Sequence, residues 1–449
     1  MIQFSLKDAA QLLNTAAPAS DIVFQGIHHD SRAIQPGQLF VAIKGERFDG
    51  HQFIQAAQQK GAIAALVMHP TEIDFPQLIV KDTIQALGQI TTAWRNQFAL
   101  PCIGVTGSNG KTTLKNMIAA ILIAHCDNQP DAVLATMGNL NNEIGLPLTL
   151  ARFNANHRFA VIEMGMNHFG EIHRLTLLTR PTIAVITNAA ESHLAGVSDL
   201  QGVAKAKGEI LDGLDSNGIA ILNRDDQFYE MWRKQLGTRQ HFSFGLENPA
   251  DFSAHSINDS HAIFKTLQGE FPVTLSLLGK HNLMNALAAA AATLAAGASI
   301  TAVQQGLAKV EAAPGRMQRH QLDNGATLID DTYNANPFSL QAAVATLQNS
   351  LGHKILVLGD MKELGPQEKI FHKEAGDKIR AAGIDQLYTY GNLTQETAKS
   401  FGKNAQHFTD QRELISTLLP HLNEKTIVLV KGSRSMKMEN IIHALLNGS

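Results

Sequence analysis

Cysteine is scarce: Cys102 and Cys126 are the two in 449 residues. Two thiols make no disulfide framework, which points to a reducing compartment. Charge is scarce as well, at 17% against the roughly 25% of average usage. With 44% hydrophobic residues, a solvated, disordered chain is excluded. Neither sign dominates: 37 basic against 40 acidic side chains leave −3, with no basic run to grip a nucleic-acid backbone. Aromatics are 6%. No apolar run is long enough to span a bilayer. The nearest, residues 283–298, is mostly alanine and reads as a buried helix. The opening MIQFSLKDAAQLLNTA has no basic stretch before an apolar core and reads as a mature amphipathic start. A cytoplasmic protein without nucleic-acid partners or a membrane span is expected.

What the chain does have is glycine, 35 of them, and short Val/Ile runs alternating with Ala/Leu/Gln-rich stretches. That alternation predicts parallel α/β architecture. Three zones follow, in line with a length of about three domains. Residues 1–82 contain strand-like pieces at 21–27, 38–43, 64–67 and 77–80 around a helix near 51–59. Residues 83–313 begin with a connector helix (83–98) and a strand at 102–105. Residues 314–449 repeat strand and helix (327–329, 339–349, 355–358, 367–382, 426–430, and a helix after Ser435), the pattern of a small doubly wound domain.

The strongest local signal is GVTGSNGKTT, from Gly104 to Thr113, between a strand and a helix. Phosphate loops need this context, because backbone N–H groups and a helix N-terminus then face anionic oxygens. Thr106, Gly107, Ser108, Asn109, Gly110, Lys111, Thr112 and Thr113 are therefore candidate ATP-binding residues. Lys111 is placed for the β/γ-phosphates and the Thr112 hydroxyl for Mg²⁺. The loop departs from the general pattern at Val105, where a glycine is usual. In doubly wound sheets ligands bind beyond the carboxyl ends of strands. There, Glu163 leaves the apolar run 159–162, and His193 lies in the loop after 183–186. Glu163 suits a hard, oxygen-seeking ion; His193 alone reads as loop polarity.

Lys207 falls within the apolar stripe of Leu200, Val203, Ala204, Ile210, Leu211 and Leu214, whereas Lys205 faces away. An inward lysine must pair, snorkel or lose its proton. From the pattern alone a paired or snorkelling lysine is the default; the functional alternatives are a phosphate-binding lysine, or a neutral amine that reacts with CO₂ to give an anionic carbamate ligand.

TGSNGKTT, VIEMG, the His193 loop and AKGEI together resemble the Mur ligases, ATP-dependent amide-forming enzymes of peptidoglycan precursor assembly and so of cell-wall biogenesis. The similarity runs from end to end. Residues 30–51 are similar to the family's UDP-recognising domain. TMGNLNNEIGLPLTL (136–150), DDTYNANPFSL (330–340) and KGSRSMKME (431–439) resemble the branch that adds D-alanyl-D-alanine to a UDP-muramoyl-tripeptide. The resemblance implies three domains: a small α/β domain for the uridine nucleotide, a central P-loop-type domain for ATP, and a Rossmann-like C-terminal domain that closes over both. It implies two Mg²⁺ sites at Thr112, Glu163, His193 and a carbamylated Lys207. Further nucleotide contacts are implied from Asn282, Arg316 and Asp331, and uridine-substrate contacts from Ser31, Arg32, Lys44, Asn139 and Asn142. A monomer acting on small molecules is expected.

The implied chemistry phosphorylates a carboxylate at ATP's expense and lets an amine displace the phosphate. Lys111, Lys207, His193, Lys362 and Asp331 are the candidate catalytic groups. Asn334 and Asn336, after the strand at 327–329, and Arg434, before a helix expected to open at Ser435, are candidates for holding the dipeptide. A sibling ligase with a different amine acceptor and a non-ligating P-loop switch are the competing readings. The 330–340 and 431–439 segments count against the first, and the inward Lys207 against the second. Hinge motion is expected near Ala313, Pro314 and Gly315.

Overall fold

The computed structural model describes residues 1–19, 21–46, 48–191, 194–258, 260–277 and 279–447. The central zone is a six-stranded parallel sheet. Its spatial order is Gln240–Phe244, Ile219–Asn223, Ile183–Ile186, Cys102–Thr106, Phe159–Glu163, Val133–Ala135. Successive side chains of a strand point to opposite faces, and this sheet uses both. Ile103, Val105, Ile183, Val185 and Ile221 pack under one helical layer. Cys102, Ala160, Ile162, Ala184, Ile186, Ala220 and Leu222 pack under the other. Continuous apolar runs with no polar alternation are what two covered faces require.

The alanine-rich stretch is the helix Lys280–Ala295, and its Ala286–Ala292 run is almost entirely buried. Small side chains let it lie close to Lys111–His125, the helix that follows the phosphate loop. Gly306 of the next helix serves the same packing: a Cβ there would meet the Ile121 Cα at 2.5 Å. On the opposite layer Trp232 is fully buried and donates its indole N–H to the Ala204 carbonyl at 2.9 Å. It thereby fixes the helix Leu200–Gly208 that carries Lys207.

The N-terminal zone has four parallel strands (Ile27–His28, Leu39–Val41, Ala64–Val67, Gln77–Ile79) and a two-stranded ribbon, Gln3–Ser5 with Val23–Gln25. The helix Thr83–Arg95 joins zones physically. Ala86, Leu87 and Ile90 pack in the N-terminal core. At its far end Trp94 and Arg95 donate to the carbonyls of Phe153 and Thr179 in the central zone. The C-terminal sheet runs Gln318–Gln321, Thr327–Asp331, Thr426–Lys431, His353–Gly359, Gln386–Tyr390, Ala405–Phe408, parallel except at its first, antiparallel strand.

The strands Gln318–Gln321, Gln386–Tyr390 and Ala405–Phe408 were not read from the sequence, and the piece read at 21–27 divides between two sheets; two further features differ. The antiparallel meander Ser253–Asn258, His261–Thr266, Gly269–Thr274 was not anticipated; its alternating, half-exposed pattern lacks a strong apolar run. The last helix opens at Glu439, because residues 434–436 form a short 3₁₀ turn first. Among the described residues no helix is long and apolar enough to cross a membrane. Trp232→Ala should lower unfolding free energy by about 3–5 kcal/mol, as measured by denaturant titration.

Candidate functional site

The phosphate loop leaves the buried strand Cys102–Thr106 and turns into the helix Lys111–His125. Two of its glycines are sterically required. Gly107 has φ +144° and a Cβ there would collide with the Thr187 hydroxyl. Gly110 has φ +82° and its Cβ would sit 2.6 Å from the Asn285 carboxamide oxygen. The loop is stitched to the segment after the neighbouring strand. Ser108 N–H donates to the Asn188 carbonyl at 2.9 Å, Asn109 N–H to Asn188 Oδ1 at 3.1 Å, and the Thr187 hydroxyl to the Asn109 carbonyl at 2.7 Å. These bonds tie the loop to the end of the neighbouring strand.

Lys111 folds back on this loop, its Nζ donating to the Gly107 and Ser108 carbonyls at 2.7 and 3.2 Å. Burial pulls its amine down to about 8, Glu163 opposing and Arg316 adding to the shift. Thr112 Oγ1 donates to Glu163 Oε2 at 3.0 Å and accepts from Arg316 Nη2 at 3.0 Å. Glu163 Oε1 accepts from Asn141 Nδ2 at 2.8 Å, and its N–H donates to the Thr136 hydroxyl at 2.9 Å. A hydroxyl and a buried carboxylate brought together at a strand end are hard oxygen donors of the kind Mg²⁺ takes.

Lys207 is completely buried, and among the described residues its Nζ has no hydrogen-bond partner. The nearby carboxylates are engaged elsewhere. Glu209 accepts from the Gly170 and His173 N–H groups. Glu171 accepts from the Asn167 N–H and meets the His168 ring. Burial first, then the Lys111 charge, lowers the Lys207 amine well below its ordinary value, against weaker opposition from Glu171 and Glu209. Among the described residues Lys207 is therefore neither paired nor snorkelling. His193, with Ser192, lies outside the described residues.

Across from the loop, the C-terminal domain supplies the second wall of a cleft of about 1600 Å³. That exceeds the roughly 300–1,000 Å³ of single-ligand pockets, so there is room for more than one substrate. Ser108, Asn109, Gly110, Lys111, Thr113, Asn282, Arg316, Asp331, Asn334 and Asn336 all line it. Arg316 stacks its guanidinium 4.0 Å from the Tyr333 ring centre. It lies between Gly315 (φ +71°) and Met317 (φ +56°), two left-handed positions at the junction between central and C-terminal zones. Asp331 is paired with buried Lys431 at 2.6 Å.

Other expected residues lie apart from the cleft lining. Thr106 is buried, its hydroxyl spent on the Met164 carbonyl. Lys362 is 40% exposed and held by Asp360 at 2.9 Å. Exposed Arg434 pairs with Glu439 at 3.1 Å. Ser31, Arg32 and Lys44 belong to the N-terminal zone, where Asp30 chelates the Arg32 guanidinium and its own carboxyl falls far below the usual range. Lys44 is exposed beside Asp49. In the 136–150 segment Asn139 is exposed and Asn142 caps backbone N–H groups of Ile144 and Gly145. It is Asn141, not singled out from sequence, that reaches Glu163. Lys115 was also missed: it is buried and donates to the Thr136 carbonyl at 2.8 Å. Its i+4 spacing from Lys111, which puts both on one helix face, was the available signal.

Fold and site thus define a class: an α/β phosphate-loop protein whose nucleotide cleft is completed by a Rossmann-like third domain. Family models match along the chain: "Mur ligase family, catalytic domain" at residues 23–98, "Mur ligase middle domain" at 105–293, and "Mur ligase, glutamate ligase domain" at 315–434. The UDP-N-acetylmuramoyl-tripeptide–D-alanyl-D-alanine ligase of Escherichia coli K12 is 44% identical over 453 residues, covering 99% of each chain. A crystal structure of MurF from Acinetobacter baumannii superposes with TM-score 0.91 at 33% identity, covering 100% of this chain and 99% of that one. MurF ligase from Thermotoga maritima in complex with ADP gives 0.83 at 28% identity, covering 94% and 97%. The chain belongs to the Mur ligase family.

Gly110→Ala should weaken nucleotide binding at least severalfold, since a left-handed alanine costs about 1 kcal/mol or more and its Cβ displaces Asn285. Calorimetric titration with ADP checks it.

Proposed function

We infer that this protein is an ATP-dependent ligase that joins D-alanyl-D-alanine to UDP-N-acetylmuramoyl-tripeptide, releasing ADP and phosphate. The observation that carries the inference is the Thr112 hydroxyl held between Glu163 and Arg316 at the mouth of a phosphate loop, in a chain 44% identical throughout to a ligase of that name. Domain limits near residues 82 and 313, a cytoplasmic setting and a monomeric state belong to the same reading. The free, buried Cys102 and Cys126 suit a reducing compartment.

In the first half-reaction the tripeptide carboxylate attacks the ATP γ-phosphorus, ADP leaves, and an acyl phosphate forms. In the second, the dipeptide amine attacks that carbonyl, phosphate leaves with one former carboxylate oxygen, and the amine's surplus proton goes to solvent or a nearby base. Both substrates of the first step are anionic, so the loop must offset their repulsion. Lys111 is preset for this. Its ammonium rests on two loop carbonyls and can exchange them for β- and γ-phosphate oxygens, whose charge raises its proton affinity. The first-turn N–H groups of the helix it opens have no intrahelical acceptor and face the same anions. Arg316, anchored on Thr112 and stacked on Tyr333, brings a second cation from the hinge. Asp331 acts by fixing Lys431 at the cleft wall. Asn282 lines the part of the cleft available to the base. Asn334 and Asn336 border the space left for the dipeptide.

Thr112 and Glu163 would hold Mg²⁺, which supplies charge neutralisation and orientation for the in-line attack. The buried Lys207 amine, without a hydrogen-bond partner among the described residues, supports a carbamate: its neutral nitrogen adds to CO₂, releases one proton and becomes an anionic oxygen donor. That side chain would serve a second Mg²⁺, with His193 as a further ligand by family resemblance. Ser31, Arg32, Lys44, Asn139 and Asn142 are assigned to the UDP-tripeptide by the same resemblance, and Lys362 and Arg434 to the acceptor half-reaction once the domains close further.

ADP release should require UDP-tripeptide and D-alanyl-D-alanine together. Turnover with neither would refute the ligase, and a preference for a single amino acid over the dipeptide would assign the chain to a sibling branch. Lys207→Ala should lose about 100-fold or more in kcat, with partial recovery on adding short carboxylic acids that stand in for the carbamate. Full activity of that variant would remove the carbamate from the account.

A further inference from the structure

Asn336 and Asn109 lie 227 residues apart in the chain, yet their side chains meet at 3.0 Å across the cleft, Asn336 Nδ2 donating to Asn109 Oδ1. The direction of this bond is fixed by what surrounds it. Asn336 is the N-cap of the helix Pro337–Gln348, its Oδ1 accepting from the Ser339 N–H at 2.8 Å while the Ser339 hydroxyl contacts the Asn336 backbone in return. With Oδ1 committed to the cap, only Nδ2 can face the loop. Asn109 must then present its oxygen, and its own Nδ2 is turned away. That Nδ2 is buried and, among the described residues, has no acceptor. Backbone movement offers no relief, since the Asn109 N–H and carbonyl are held by Asn188 and Thr187.

We propose that Asn109 is a positioning residue that couples nucleotide binding to docking of the C-terminal domain: its carboxamide oxygen holds Asn336, and its carboxamide N–H takes an oxygen of the bound nucleotide's phosphate chain. The assignment rests on the nucleotide reading above and extends it by giving one side chain both tasks. A buried amide donor with no acceptor is unfavourable, so the docked arrangement is incompletely stabilised until an acceptor arrives. An anionic phosphate oxygen is the acceptor that the loop around Asn109 is built to receive. Each event then favours the other by the same factor. Because Asn336 caps a helix bordering the space for the amine substrate, a filled phosphate loop also steadies the second substrate's wall.

The test is a double-mutant cycle on the full chain: Asn109→Ala, Asn336→Ser and the pair together. Serine keeps an N-cap oxygen but removes the donor to Asn109. Thermal unfolding verifies folding, with Asn109→Ser as the substitute should the alanine variant fail to fold. ADP affinity is read by calorimetry and compaction on ADP binding by solution X-ray scattering. Each single variant should raise the ADP Kd roughly fivefold or more and diminish the compaction, and the double variant should be no worse than the weaker single one. Additive losses, or an unchanged Kd in Asn336→Ser, would overturn the coupling while leaving nucleotide binding intact. Failure of the unaltered protein to bind ADP would overturn the nucleotide reading itself, and the coupling with it.

Discussion

One hydroxyl joins three parts of this molecule. Thr112 opens the helix behind the phosphate loop, Glu163 ends the neighbouring strand, and Arg316 comes from the junction between the central and C-terminal zones, and all three meet at Thr112 Oγ1 with 3.0 Å contacts. Strand register delivers the first two, because Val105 pairs with Glu163 in the parallel sheet. The third depends on the left-handed turn at Gly315 and Met317. A displacement of any of these elements separates the oxygen donors from the phosphate loop. Precision of this kind needs a scaffold covered on both faces, which the two helical layers provide.

Positive charge is supplied locally. The chain carries a net −3 yet handles several anions, and the cations that matter are few and constrained. Lys111 is folded onto its own loop, Lys431 is locked to Asp331, and Arg316 is stacked on Tyr333. Lys207 stands out by contrast, a buried amine whose neighbouring carboxylates are occupied by backbone N–H groups. Burial that destabilises an ammonium is the condition under which an amine becomes a nucleophile towards CO₂.

Much of the fold was legible because buried parallel strands write continuous apolar runs. The strand at Ala64–Val67 matches its run to the residue, and Cys102–Thr106 and His353–Gly359 differ only at their ends. The helix stripe around Lys207 was readable for the same reason: its periodicity marks burial directly. The meander at residues 253–274 was not, since half-exposed antiparallel strands alternate polar and apolar residues weakly. Of the site, the loop and Glu163 could be read from strand-end position. The reach of Asn141 to Glu163 and the meeting of Asn109 with Asn336 could not, because both depend on how loops distant in sequence are brought together. Family resemblance pointed to Asn139 and Asn142; in the structure Asn139 is exposed and the Asn142 carboxamide oxygen accepts from the Ile144 and Gly145 N–H groups.

The central claim is that a substrate carboxylate is activated by phosphorylation at this loop. Oxygen tracing tests it most directly: UDP-tripeptide labelled with ¹⁸O in the reacting carboxylate, turned over with ATP and D-alanyl-D-alanine, with the released phosphate analysed by mass spectrometry. One labelled oxygen from the carboxylate should appear in each phosphate. Amide product formed with unlabelled phosphate would contradict the account.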